Sequence, residues 1–160
     1  MKAHLTHRGF SARQPTIFKT GLVSDLAAFS IPSADILMRP DDAWAAVFLG
    51  DGFDPVDCAH RVAALTRSPD AIYGAVSGGG KTLAVGVMTV GRGWAGIHGM
   101  RTALAHRGKG LASAILASFG QAAQARGVVR VSLQVEEANP ARDIYRRAGL
   151  SPIWRYHYWR

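Results

Sequence analysis

The alternation of apolar and polar positions changes its period several times along the chain, and each change marks a predicted element. The longest helical pattern starts after Gly110, where apolar residues recur with a period near 3.6 at Leu111, Ile115, Phe119 and Ala122. Apolar, β-branched runs without that period predict strands, as in "AIYGAVS" and "TLAVGVMTVG". The intervening "GGGK" predicts that these two strands form a hairpin.

Read from residue 34 onward, the pattern predicts alternating strands and helices. In chain order these are strand 34–39, helix 40–50, helix 55–68, the hairpin, strand 94–102, the helix from Gly110 to about Gly127, strand 128–135, helix 141–149 and a last strand in "SPIWRYHYWR". This order predicts a single mixed α/β (α+β) domain. Residues 1–33 are harder to place, with a strand interrupted at Pro15, a short helix in "LVSDLAAF" and a linker at Ile31–Ser33.

Length and composition are those of an ordinary globular domain. The chain has 160 residues, of which 48% are hydrophobic and 19% charged. No apolar run approaches the roughly 20 residues that a membrane span needs, and the first residues contain no apolar signal core. Cys58 is the single cysteine, which excludes an internal disulfide and fits a reducing cytoplasm.

The net positive charge of the chain comes from residues 92–160. Residues 1–91 contain eight Lys/Arg and eight Asp/Glu, whereas residues 92–160 contain eleven Lys/Arg and three Asp/Glu, which is 11 − 3 = +8, the whole net charge. Such a half attracts polyanions, and charge alone does not distinguish a nucleic acid from a phosphorylated cofactor.

Two glycine-rich segments invite a phosphate-binding interpretation. "SGGGKTL" ends like a P-loop, but Ala75 stands where the signature requires glycine and a strand-like run follows, so it predicts a hairpin turn. "HRGKGLASA", by contrast, opens the longest amphipathic helix after a predicted strand. Gly108 and Gly110 leave room for an anion at the free N–H groups, and Arg107 and Lys109 add charge. The alternative is a loop of solvated charges.

Two blocks of the sequence resemble the GNAT superfamily of acetyl-CoA-dependent N-acetyltransferases. "HRGKGLASAILASF" is similar to the family signature R-x-x-G-x-[GA], and "LQVEEANPARDIYRRAGL" to its strand–Asn–helix–Tyr–Gly segment. The matching positions are Arg107, Gly110 and Ala112 in the first block and Asn139, Tyr145 and Gly149 in the second. The resemblance covers about residues 34–160 and is specific from residue 94 onward.

The resemblance implies a GNAT fold with a mostly antiparallel sheet, helices on both faces, and strands 94–102 and 128–135 splayed apart around the pantetheine arm. Acetyl-CoA is then the acetyl donor, and no metal is expected. The implied cofactor-binding residues are the loop and first helical turn, two strand residues and two from the second block: Arg107, Gly108, Lys109, Gly110, Leu111, Ala112, Met100, Thr102, Asn139 and Tyr145. One departure affects Asn139, which precedes Tyr145 by six residues where the family pattern has seven.

Acetyl transfer to an amine needs a proton acceptor for the nucleophile and benefits from a proton donor for the leaving thiolate. The resemblance assigns the role of proton donor to Tyr145. The alternative is that Tyr145 is an aromatic residue of the helix that only packs in the core. His98 is the expected base, with Glu136 as its rival, although a lone strand histidine is often only a core residue. Strict alternation would put His98 on one face with Gly96, Met100 and Thr102.

The acceptor is expected to be a small-molecule or peptide amine, and an acidic cluster suggests that it is cationic. Five aspartates fall near the first two predicted helices, at Asp41, Asp42, Asp51, Asp54 and Asp57. They would attract a cation, or they serve as helix caps and turn residues. Two rival functions stay open: a catalytically silent acyl-CoA sensor and, less favoured, a nucleic-acid-binding module that uses the basic aromatic "WRYHYWR".

Residues 1–33 resemble no part of the start of the family domain. "LTHRGFSARQPTIFKT" is similar to a helix end followed by a strand, as at the end of a GNAT lobe. We therefore expect an N-terminal extension, 1–33, that is the remnant of a preceding lobe, followed by the catalytic domain, 34–160. The extension would pack on the main sheet or on a second subunit of a homodimer.

Overall fold

A computed structural model describes residues 2–31, 33–50 and 54–160. The helices in this part of the chain are α1 (Lys2–His7), α2 (Val23–Ala28), α3 (Asp42–Ala46), α4 (Pro55–Leu65), α5 (Leu111–Gln124) and α6 (Arg142–Arg147). The strands are β1 (Ala12–Leu22), β2 (Asp35–Leu37), β3 (Ala71–Gly78), β4 (Lys81–Gly91), β5 (Trp94–Thr102), β6 (Arg130–Glu136) and β7 (Ser151–Trp159). The predicted elements are all present, and most are shorter than the pattern suggested.

All seven strands belong to one sheet with the order β2-β3-β4-β5-β6-β1-β7. Every neighbouring pair is antiparallel except β5 and β6, which run parallel. The mostly antiparallel sheet is therefore confirmed. The β3–β4 hairpin turns at Gly79 and Gly80, whose φ values of +60° and +75° suit a tight hairpin loop rather than a P-loop.

Helices cover both faces of the sheet, because alternate strand residues face two separate cores. On one face, α5 buries Ile115 and Phe119 among strand residues such as Met88. On the other face, Trp44 and Phe48, from α3 and the turn after it, pack against Tyr73 of β3, and Cys58 of α4 joins the same cluster. Cys58 is buried there, in keeping with a packed side chain rather than a nucleophile.

The first strand of the chain lies inside the sheet, between β6 and β7. Its register pairs Thr20 with Ser132 of β6 and with Ser151 of β7, and Pro15 is accommodated where the β1–β7 register shifts between Arg13 and Thr16. Residues 12–22 are thus part of the main sheet of this chain. Whether they derive from a preceding lobe stays a prediction.

A buried lysine links β1 to the segment between α6 and β7. Lys19 is only 4% exposed, and its Nζ donates a hydrogen bond to the carbonyl oxygen of Leu150 at 3.1 Å. Burial, followed by repulsion from Arg142 and Arg146, lowers the pKa of Lys19. The hydrogen bond compensates part of the cost of placing an ammonium group under α6.

Deleting residues 1–33 is expected to abolish folding rather than trim an appendage. β6 and β7 would each lose the strand between them, and the apolar face that includes Ile17 would be exposed. We expect insoluble protein, or soluble protein with no cooperative thermal transition by circular dichroism. Deleting residues 1–10 keeps β1 and is the matched control, which should melt as the full chain does. A soluble, cooperatively folded protein without residues 1–33 would contradict this prediction.

Candidate active site

The glycine loop lies between the end of β5 and the start of α5. After β5, a short 3₁₀ turn at Leu104–His106 leads into Arg107, whose Nε donates to the carbonyl oxygen of Thr102 at 3.4 Å. Gly108 and Gly110 both have positive φ, +75° and +79°, which only glycine adopts without strain. The loop conformation therefore requires the glycines that the sequence supplies.

The start of α5 is open to an anion. Gly110 is the N-cap of α5 and offers no side-chain cap to the first-turn N–H groups, which have no intrahelical partner. No atom lies within 4 Å of the position that a Cβ would take at Gly108 or Gly110, so the backbone can be approached closely. Arg107 and Lys109 are exposed beside it. These residues fit a diphosphate group.

The second half of the site is a cleft between β5 and β6. The parallel ladder joins them only from Trp94↔Arg130 to Ile97↔Leu133, although β5 continues to Thr102 and β6 to Glu136. The strands splay where the ladder ends, as the resemblance implied. The resulting cleft has a volume of about 180 Å³. It is lined by Arg61, Ile97, His98, Gly99, Met100, Leu133, Gln134, Val135, Glu136, Asn139 and Tyr145.

A β-bulge in β5 overturns the predicted alternation along this strand. His98 pairs with Val87 and Arg101 with Val85, so Gly99 and Met100 together oppose the single residue Gly86. Gly99 takes a positive φ of +56° at the bulge. The four residues predicted to share a face are therefore divided.

Beyond the bulge the side chains change faces. Met100 packs against the core under α5, and Thr102 pairs with Ala84 of that same core. His98 stays on the opposite face beside Gly96, with its Nε2 3.4 Å from Thr89 Oγ1. The prediction that Met100 and Thr102 share the face of His98 is wrong, because one extra residue shifts the two-residue period.

His98 reaches solvent through the cleft, yet neighbouring protein atoms displace part of its water. This burial lowers the pKa of His98 below its ordinary value of 6.5. The imidazole is consequently neutral over more of the physiological pH range than a free histidine. A neutral imidazole has one ring nitrogen free to accept a proton.

Tyr145 enters the cleft from the core side. α6 places it among the apolar residues of the α5 face, where it is 8% exposed. Burial raises the pKa of Tyr145 to about 12, so the hydroxyl is protonated at any physiological pH. His98 and Tyr145 are 47 positions apart in the sequence, and the cleft brings them into one space from the two faces of the sheet.

Asn139 shapes the turn that leads into α6. Its Oδ1 accepts a hydrogen bond from the N–H of Ala141 at 2.9 Å, and its own N–H donates to the carbonyl of Glu136 at 3.0 Å. The side-chain oxygen is thereby used as a cap. Asn139 lines the cleft, and its side-chain amide N–H groups are the donors that could contact a ligand there.

Sequence analysis missed two polar cleft residues, Gln134 and Arg61. Gln134 follows from the alternation of β6, since it faces away from buried Leu133 and Val135 together with Glu136. Arg61 follows from helical spacing, because it lies three residues after buried Cys58 and therefore on the α4 face turned to the sheet. Of the predicted cofactor residues, the loop, the first turn of α5 and Thr102 lie outside the cleft itself.

Two aspartates of the acidic cluster are helix N-caps. Asp41 caps α3 by accepting from the N–H of Trp44, and Asp54 caps α4 by accepting from the N–H groups of Val56 and Asp57. Asp42 and Asp57 are exposed, and Asp51 lies outside the described residues. The cleft residue from these helices is a cation, Arg61.

The described residues form neither a metal-type cluster nor a helix of membrane-spanning length. Across the described residues, no three or more His, Cys, Asp or Glu side chains gather as a metal site would require. Nor does any helix of the described ranges have the length and apolarity needed to span a bilayer.

Comparison with known proteins agrees with this geometry. The model of the acetyltransferase (GNAT) family matches residues 41–150. The chain belongs to the GNAT family. No curated protein matches its sequence.

Solved structures share the GNAT fold at low sequence identity. A tandem GNAT protein from the clavulanic acid biosynthesis pathway has a TM-score of 0.75 at 15% identity, covering 99% of this chain and 57% of that one. A GCN5-related N-acetyltransferase from Kribbella flavida has a TM-score of 0.68 at 19% identity, covering 99% of this chain and 62% of that one. A functionally unknown conserved protein from Staphylococcus epidermidis has a TM-score of 0.77 at 16% identity, covering 99% of this chain and 66% of that one. The chain thus spans less than two thirds of each of these proteins.

Replacing Gly110 with valine is expected to weaken acetyl-CoA binding by at least tenfold. The β-branched side chain would project into the open space above the loop and strain a backbone with φ +79°. Titration calorimetry measures the affinity. Gly93→Val is the matched control, because Gly93 has the same φ of +79° and open surroundings in the β4–β5 turn. Equal losses in both variants would show that strain alone is responsible.

Proposed function

We propose that this GNAT protein transfers an acetyl group from acetyl-CoA to a primary amine by direct transfer in a ternary complex. The observation that carries the proposal is the convergence of His98 and Tyr145 on one cleft, from opposite faces of the sheet. That cleft opens between strands that separate after Ile97↔Leu133, near the loop that precedes α5. Holding both reactants in one geometry would supply much of the rate.

The chain's own residues would hold the pyrophosphate and the pantetheine arm of coenzyme A. The N–H groups of Gly108, Lys109, Gly110, Leu111 and Ala112, with the charge of Arg107, would bind the pyrophosphate. Backbone groups of Met100 and Thr102 and the amide N–H groups of Asn139 would hold the pantetheine arm. When bound, acetyl-CoA supplies an activated acetyl group on a thiol leaving group. A catalytically silent sensor would bind it equally well, so binding alone does not test the proposal.

His98 is the proposed proton acceptor. A lysine-like amine has a pKa of about 10.4 and reacts only after it loses a proton. The lowered pKa of His98 keeps its imidazole neutral near pH 7, ready to accept that proton directly or through water. Glu136 is the alternative base, since it lies on the same side of β6 as the cleft residue Gln134.

Tyr145 is the proposed donor toward the leaving sulfur, and its pKa restricts what it can donate. A thiol has an ordinary pKa of about 8.5, so complete transfer from a tyrosine near 12 to a thiolate costs about 5 kcal/mol. The hydroxyl is therefore expected to hold its proton at Oη and donate a hydrogen bond to the developing negative charge. Burial strengthens such a bond, because little water competes for it.

Tyr145→Phe is expected to lower kcat by 10- to 100-fold while the affinity for acetyl-CoA stays within about twofold. The substitution removes one hydroxyl and keeps the ring that packs in the core. A thiol-release assay gives kcat, and calorimetry gives the affinity. Tyr73→Phe, on the other side of the sheet and outside the cleft, is the control. An unchanged kcat, with chemistry shown to limit the rate, would reduce Tyr145 to a packing residue.

His98→Gln is expected to remove a pH-dependent part of kcat. A base must be unprotonated, so its contribution is complete above its folded pKa and is lost as the pH falls through it. Because that pKa is lowered, the ratio of wild-type to His98→Gln kcat should be constant above pH 6.5 and fall toward one below it. The ratio cancels the titration of the amine itself. Glu136→Gln is measured alongside, and the same pH dependence there would move the assignment to Glu136.

A further inference from the structure

A second and larger cavity lies on the sheet beyond the active-site cleft. It has a volume of about 430 Å³, within the range of small-molecule sites. Its walls come from β1, β5, β6 and β7, and its lining includes Phe18, Trp94, Arg130, Ser132 and Trp154. Trp154 is 53% exposed, so the cavity is open to solvent.

Flat aromatic surfaces shape this cavity. The rings of Phe18 and Trp154 stack with centroids 4.2 Å apart and an interplanar angle of 3°. The guanidinium of Arg130 lies over the ring of Trp94 at 5.5 Å from its centroid. Such walls bind another flat group well, because planar rings gain area and stacking at a small entropic cost.

A floor of small residues connects the cavity to the cleft. Along β5 the residues Trp94, Gly96 and His98 share one face, and along β6 Arg130, Ser132 and Gln134 do the same. Gly96 pairs with Ser132 at the midpoint. Trp94 and Arg130 lie four positions before His98 and Gln134 on their strands. At a rise of about 3.3 Å per residue, this is a distance of about 13 Å.

We propose that the aromatic cavity between β5, β6, β1 and β7 binds the far end of the amine acceptor, and that this end is a planar aromatic ring with a carboxylate a few bonds away from it. The inference rests on the proposed function and names its substrate class. The spacer between amine and ring is extended and about ten bonds long, since it must cross about 13 Å over Ser132 and alongside the imidazole of His98, which lies over Gly96.

The charge of the lining selects the sign of the substituent. Arg130 is the charged side chain among the residues that line the cavity, and Thr20 and Ser132 add hydroxyl groups. Arg61 adds a second cation at the cleft. A carboxylate at the ring end of the acceptor would be attracted by Arg130, whereas a second ammonium group there would be repelled. This charge distribution favours an anionic acceptor over the cationic one that the aspartate cluster suggested. Two aspartates of that cluster, Asp41 and Asp54, serve as helix caps.

The test compares three acceptors in the full chain by titration calorimetry, with and without coenzyme A. The probe ε-aminocaproyl-phenylalanine has the amine, the spacer, the ring and the carboxylate. ε-Aminocaproyl-alanine lacks the ring, and ε-aminocaproyl-phenylalaninamide lacks the carboxylate. We expect the probe to bind about tenfold tighter than either comparison compound.

Substitutions assign these differences to the cavity. Trp154→Ala should remove the preference for the ring, and Arg130→Gln the preference for the carboxylate. Tyr158→Ala removes a similarly exposed aromatic side chain on the same strand outside the cavity and should alter neither preference. Thermal melts of all three variants confirm that each is folded. Equal affinity for the three compounds, or the same losses in Tyr158→Ala, would overturn the proposal.

The outcomes separate this site from the proposed function. Tighter binding of the probe without acetyl transfer would support the cavity as a binding site and contradict the proposed acetyltransferase activity. Acetyl transfer to all three compounds with equal kcat/KM would preserve the activity and overturn the cavity as an acceptor subsite. A dimer by sedimentation that dissociates in Trp154→Ala, together with no probe binding, would overturn it in favour of a second copy of the chain.

Discussion

The site depends on one break in the sheet, the point where β5 and β6 stop pairing after Ile97↔Leu133. In a continuous sheet the backbone groups of residues 98–102 and 134–136 would satisfy one another, and no ligand could enter between them. Beside this break the β4–β5 ladder shifts register at the bulge of Gly99 and Met100 and resumes at Arg101. The bulge sends His98 and Met100 to opposite faces, so that one strand contributes to both walls of the cleft.

The sequence allowed the prediction of everything that repeats with a local period. The helix from Leu111, the hairpin at Gly79 and Gly80 and the strand 94–102 were found within a few residues, because apolar spacing and turn chemistry act over short distances. The division of Met100 from His98 was not, since it results from one extra residue that the pairing with β4 forces out of register. A glycine in mid-strand is the available signal for such a bulge, and Gly99 was that signal.

The place of β1 could not be derived from pattern either. Its alternation identified a strand, but a strand can pair with any edge, and this one pairs with partners more than 100 residues away. Its position has a consequence for function. Ile17 and Lys19 face the core beneath α6, while Phe18 and Thr20 face the aromatic cavity, so β1 supports both α6, which carries Tyr145, and the second cavity. Residues without any motif thus pack beneath the helix that carries Tyr145 and line the second cavity.

The positive charge of the second half of the chain is also redistributed by the fold. Arg155 pairs with Glu137 at 2.6 Å, and Arg126 donates to the carbonyl of Ala122 near the end of α5. Cations with such partners hold structure together and contribute less to attracting a distant anion. The attraction expected for a diphosphate is therefore concentrated at the uncapped start of α5, where exposed Lys109 adds to the helix dipole. In the proposed function it is this local placement of charge, rather than the net value of +8, that would bind the pyrophosphate.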